Sequence, residues 1–192
     1  VMIPLALVWI LVLFVIGRGL SKGVEAANKV FLPLLVILFL ALVVRALFLP
    51  GAVEGLNAFF TPNWAALADP KVWLAAFAQI FYSLSVGFGI MLTYASYLKP
   101  KSNLTGTALV AGFANSSFEI LAGIGVFSAV GFMAHQGGVS VSEVEGLTGP
   151  ILSFVTFPKI ISMMPGGPIF GVLFFSSLVL AGVTSLLSLL QV

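Results

Sequence analysis

Apolar runs separated by short polar or glycine-rich stretches set the pattern of the 192-residue chain. The runs cover residues 1 to about 16, 26–49, 73–98, 104–133 and 167–190. All but the first are long enough for the roughly 20 residues that a membrane-crossing helix needs, and the first is slightly short. The pattern therefore predicts five transmembrane helices. Between the first two lies a glycine-rich turn, Gly17-Arg-Gly-Leu-Ser-Lys-Gly23. The connection over 50–72 carries Glu54, Asn57, Asn63, Asp69 and Lys71 with prolines at 50, 62 and 70, and it reads as an exposed loop. Lys99-Pro-Lys-Ser-Asn103 is a short basic loop, and 134–166 is a longer connection with Glu143, Glu145 and Lys159. Within that longer connection, Ile151 to Ile161 is apolar and predicts a partly buried helical segment.

Charge orients these spans. The short loops bearing Arg18, Lys22, Lys99 and Lys101 are separated by two spans, so both face the cytoplasm by the positive-inside rule, and the longer connections face outward. An odd number of spans and an apolar run beginning at Val1 suggest a partial transmembrane domain from a larger membrane protein, completed by helices outside this chain.

Composition supports the membrane class and excludes others. At 60% hydrophobic, 7% charged and a mean hydropathy of +1.21, the chain is far more apolar and less charged than a soluble domain. Continuous apolar runs, rather than ten-residue alternations, argue for an all-α bundle in the lipid bilayer and against a barrel. The net charge of +2 is small and its basic residues are scattered, so a nucleic-acid partner is not expected. With no cysteine, disulfides, thiol catalysis and thiolate metal sites are excluded. No nucleophile, base and orienting group are grouped in the sequence, so no enzyme is expected.

Polar groups inside the spans carry the candidate chemistry. The third span is interrupted at its centre by Gln79-Ile-Phe-Tyr-Ser-Leu-Ser-Val-Gly-Phe-Gly89. Unpaired backbone groups at mid-membrane depth cost several kcal/mol each unless something polar meets them, so the stretch reads as a helix broken to bind something. At such a break one half-helix presents N–H groups and the other carbonyls. Close packing through Ser85 and Gly89 is the competing reading. In the fourth span Glu119 is the sole acid well within a predicted membrane segment, and Asn115 stands one turn earlier on the same face. Such a pair marks either a pathway or a hydrogen-bonded patch between helices. In the last span the Thr184 and Ser185 hydroxyls lie beside the Ala181 carbonyl, half of an oxygen cage for a hard cation, although Ser and Thr often bond back to their own helix. Pro33 falls inside the second span, ten positions after Gly23, and either kinks it or lets the intervening turn unwind.

The order of these motifs, with Tyr94-Ala-Ser-Tyr97 and Ala181-Gly-Val-Thr-Ser185, resembles the neurotransmitter:sodium symporters, most closely bacterial amino-acid members such as the leucine transporter. The resemblance covers essentially the whole chain, from the family's fourth transmembrane helix to its eighth. It implies an inverted-repeat bundle with a discontinuous sixth helix, in a bacterial cytoplasmic membrane. It also implies sodium-coupled symport of an amino acid by alternating access.

Position by position, the resemblance places Ser83 and Asn115 at a first sodium site and Ala181, Thr184 and Ser185 at a second. Tyr82, Ser83, Ser85, Phe88, Ser185 and Leu189 fall at substrate-pocket positions; residue 82 is commonly Phe in bacterial members, so a tyrosine there leaves substrate size and polarity open. Chloride-dependent relatives carry a serine where Glu119 stands, so the resemblance implies a carboxylate that replaces chloride, or a proton site, with Gln79 nearby. The spacing of Gly23 and Pro33 resembles a motif tied to unwinding of the fifth helix. The 134–166 connection resembles the extracellular lid loop, in which His135 is expected as a surface residue. Two other readings stand beside this one: a same-fold transporter of another small solute, and a non-transporting membrane subunit.

Overall fold

A computed structural model describes residues 2–99, 101–144 and 149–190, leaving out the side chains of residues 20–22. Pro100 and Glu145 of the expected loops, and Lys22 as a side chain, thus lie outside the described residues, as do the chain ends. Every regular element among the described residues is helical. Three of these helices are long and apolar enough to cross a membrane. The protein is an all-α membrane protein.

The chain divides into two compact units, residues 1–42 with 161–192 and residues 43–160. In the first, α1 (Met2–Gly17) leads through a π-helical turn (Leu20–Glu25) into α2 (Ala26–Leu47). α8 (Gly167–Leu189) packs back on α1. Val12, Val15, Val24, Val183 and Leu187 form their shared core, while most other apolar side chains of these helices remain exposed. Gly23 is buried in this core, and glycine is required there because a Cβ would overlap the Val15 carbonyl oxygen. α2 continues helically through Pro33, whose missing N–H leaves the Lys29 carbonyl without its helical donor. Glu25 and Lys29 pair across one turn at 2.8 Å, which balances charge at the start of this apolar helix.

The second unit is built on α6 (Leu104–Gly137), capped by the Asn103 side chain at one end and by left-handed Gly138 at the other. The connection read as a loop holds α3 (Ala52–Phe60) and a 3₁₀ turn (Trp64–Ala68). Its prolines stand outside α3, and left-handed Gly51 starts the helix directly after Pro50. α3 lies on α6 with backbone against backbone. A Cβ on Gly55 would overlap the Phe127 carbonyl, one on Gly131 would overlap the Gly51 carbonyl, and the Phe59 ring covers Gly123. Phe59 also packs on Phe127 at 4.9 Å between ring centroids.

After the 3₁₀ turn come α4 (Pro70–Ser83) and α5 (Ile90–Ser96), the two halves of the expected third span. α7 (Gly149–Met163) contains a π-helical turn over Leu152–Thr156 and buries Ile160, as the apolar stretch from Ile151 predicts.

Candidate functional site at the interrupted helix

α4 begins conventionally, with Asp69 capping the Lys71 amide and Pro70 in the first turn. It ends abruptly. The Val86 amide donates to the Phe81 carbonyl (2.9 Å) and the Ser85 amide to the Tyr82 carbonyl (3.1 Å), the paired bonds of a Schellman termination. Ser85 occupies the left-handed position of that motif at φ 52°, where glycine is usual. Gly87 (φ 85°) and Gly89 (φ 79°) then turn the chain into α5. The termination satisfies two of the carbonyls that a simple break would leave open, and no side chain caps the start of α5. The interruption is therefore a built turn of defined geometry.

Ser83, the last residue of α4, is where the two predicted polar spans meet. Its hydroxyl donates to the Glu119 carboxylate and accepts from Asn115 Nδ2 at 2.5 Å. Because Asn115 and Glu119 are one helical turn apart on α6, a single hydroxyl from the break bridges both. In this arrangement Asn115 spends its amide N–H on Ser83 and leaves Oδ1 available. A carboxylate, a hydroxyl and a side-chain amide then lie together, groups whose oxygens can serve a hard monovalent cation. The resemblance implies Gln79 near Glu119; Glu119 itself bonds Ser83, and no hydrogen bond joins Gln79 to Glu119 among the described residues. Gln79 is exposed on α4, one turn before Ser83. The direct Ser83–Glu119 bond is a link that residue spacing alone leaves open, although Gln79 and Ser83 are four residues apart on one face of α4.

Of the pocket candidates, Tyr82 at the end of α4 and Phe88 in the turn are largely exposed, while Ser85 is half-buried. Ser185 and Leu189 sit one turn apart on the exposed side of α8 in the other unit. On that helix Thr184 Oγ1 donates to the Ala181 carbonyl at 3.0 Å, and Ser188 Oγ to the Thr184 carbonyl at 3.2 Å. The first bond brings the Thr184 and Ala181 oxygens together and is also the helix-internal bond anticipated for such residues. The Ala181 carbonyl takes the helical Ser185 N–H as well as the Thr184 hydroxyl, so both its lone pairs are engaged, while the Thr184 hydroxyl keeps its own as the oxygen a cation could share.

An interrupted apolar helix with a carboxylate, an amide and a hydroxyl gathered at the interruption defines the class, that of membrane proteins with irregular backbone kept for a polar cavity. The family model for the sodium:neurotransmitter symporter family matches residues 1–192. The chain belongs to that family, whose members are transporters and not enzymes. It is 43% identical over 187 residues to an uncharacterised sodium-dependent transporter of Methanocaldococcus jannaschii, covering 96% of this chain and 37% of the relative. It is 36% identical over 178 residues to the human sodium- and chloride-dependent creatine transporter 1, covering 92% and 28%. With the rat sodium- and chloride-dependent taurine transporter it shares 39% over 182 residues, covering 94% and 29%. The chain thus spans little more than a third of the archaeal relative's length and less of the others.

Proposed function

We propose that the complete protein is a sodium-coupled symporter of a small amino-acid-type solute, working by alternating access and independent of chloride. The observation that carries this reading is the meeting of Ser83, Asn115 and Glu119 at the interruption between α4 and α5. Ser83 and Asn115 would hold one sodium ion, and Ala181, Thr184 and Ser185 a second. The printed names of the relatives support the sodium requirement, and creatine and taurine, named for two of them, are small zwitterions. Tyr82, Ser85, Phe88, Ser185 and Leu189 would shape the solute site.

Chloride independence rests on Glu119. A carboxylate hydrogen-bonded to Ser83 supplies fixed negative charge beside the cation ligands, the role that an added anion would otherwise fill. A different small solute is the second reading, favoured by the spread of substrates among the relatives' names. Uptake of labelled solutes into proteoliposomes bearing the complete gene product tests both. Saturable uptake that needs sodium and persists when gluconate replaces chloride is expected. Uptake that vanishes without chloride would overturn the role given to Glu119, and absence of any sodium-dependent uptake across a solute panel would favour a non-transporting subunit.

A further inference from the structure

Two rows of residues at four-residue spacing meet where α3 lies on α6. α3 contributes Gly51, Gly55 and Phe59, and α6 contributes Gly123, Phe127 and Gly131. Ridges of this spacing interlock when two helices cross closely, and the glycines bring the backbones into direct contact. The α6 row does not stop at Gly123. Continued by fours toward Leu104, it passes through Glu119 and Asn115, the two residues that hold Ser83. One ridge of α6 therefore seats α3 at one end and the polar cluster at the other.

α3 is also tied to α4. Only residues 61–69 separate them, and much of that link is internally bonded. The Asn63 side chain caps the 3₁₀ turn, Asp69 caps α4, and Trp73 Nε1 donates to the Leu67 carbonyl at 2.8 Å. α4 has no buried residue of its own among the described residues, so within this chain its course is set at its two ends, by the link from α3 at one and by the Ser83 bonds to α6 at the other.

We propose that α3 is a positioning element for the Ser83–Asn115–Glu119 cluster, and that its backbone contact with α6 at Gly55 and Gly131 sets where α4 delivers Ser83. This rests on the sodium reading of that cluster. Gly131→Ala pushes a methyl group into backbone on α3 that has no rotamer by which to yield, so α3 must lift and carry α4 with it. A shift of this kind weakens a ligand set without removing a ligand.

The test is sodium-dependent uptake by the complete gene product. Gly131→Ala and the milder Phe59→Ala should raise the sodium concentration for half-maximal uptake by about threefold or more, with a smaller change in maximal rate. Gly112→Ala on α6, where a Cβ meets nothing, should leave both unchanged. Ser83→Ala in the same assay separates the two ideas. If it shifts the sodium dependence while folded Gly131→Ala and Phe59→Ala do not, the positioning role falls and the sodium reading stands. If Ser83→Ala shifts nothing, both fall. Should Gly131→Ala fail to accumulate, a cross-link decides beside Phe59→Ala. Glu54 and His135 face each other at 3.7 Å across the α3–α6 contact, and the chain has no cysteine of its own. A short bifunctional thiol reagent bridging Glu54→Cys and His135→Cys should leave uptake intact, because α3 stays seated; uptake abolished by the bridge would overturn the proposal.

Discussion

At the scale of single residues, Ser85 and Ser83 do opposite things within one turn of chain. Ser85 occupies a left-handed conformation that costs a side-chain-bearing residue about 1–2 kcal/mol. Ser85→Gly should stabilise the detergent-solubilised protein by about 1 kcal/mol and Ser85→Val should destabilise it by more, both read from thermal or denaturant unfolding. If the serine is kept for the solute, Ser85→Gly will also lower solute affinity while raising stability. Ser83 instead serves through its hydroxyl. Ser83→Ala strands the Glu119 carboxylate and the Asn115 amide together, and sodium half-saturation should rise about tenfold, equivalent to roughly 1.4 kcal/mol. The chemistry at these positions was legible in the sequence because serine, asparagine and glutamate are conspicuous in apolar spans. Their partners were less so. Which hydroxyl meets which carboxylate depends on how α4 lies against α6, and no single-chain periodicity encodes that.

At the scale of elements, the interruption of the third span was legible from its glycines, but the Schellman termination was not, because its left-handed residue is a serine. α3 is hidden in the residue pattern because three prolines in 50–72 outweigh a nine-residue helical stretch. The spacing Gly51-Ala-Val-Glu-Gly55 held the missing signal, a small-xxx-small face that needs a partner. Gly23 and Pro33 show the same limit from another side. The structure gives Gly23 a packing role against Val15, whereas Pro33 removes one hydrogen bond from an otherwise continuous α2. These roles separate in mutants. Gly23→Ala should lower the unfolding temperature by overlapping the Val15 carbonyl. Pro33→Ala should restore the bond to Lys29, stabilise α2 by about 1–3 kcal/mol, and slow sodium release to the inside by about fivefold or more if unwinding there opens the path. Stopped-flow sodium efflux from proteoliposomes measures it, and unchanged efflux from a stabilised Pro33→Ala protein would remove the unwinding role.

At the scale of the whole molecule, the membrane class and the family were legible almost entirely from residue order, since apolar runs and the polar residues that interrupt them are sequence properties. Where a solute would bind was not, because no residue pattern within one span specifies it. A cation that binds the folded protein alone stabilises it in proportion to occupancy. Sodium at a hundredfold excess over its dissociation constant should therefore add about 2.7 kcal/mol to the complete gene product, and potassium should add nothing comparable. Equal stabilisation by both ions would argue against a sodium-selective site.

The length of α6 has a consequence of its own. At 34 residues it is roughly 50 Å long, against about 30 Å of hydrocarbon in an ordinary bilayer. Asn115 and Glu119 lie roughly 17–23 Å from its Leu104 end, deep in the hydrocarbon if that end rests at the lipid boundary. The Gly131–Gly137 end then stands among head groups and water, where the exposed Glu54–His135 pair is tolerated. On that placement the seat of α3 sits at the membrane rim while the carboxylate lies within the hydrocarbon layer. Lipids with longer acyl chains would draw that rim, and the polar pair with it, toward hydrocarbon.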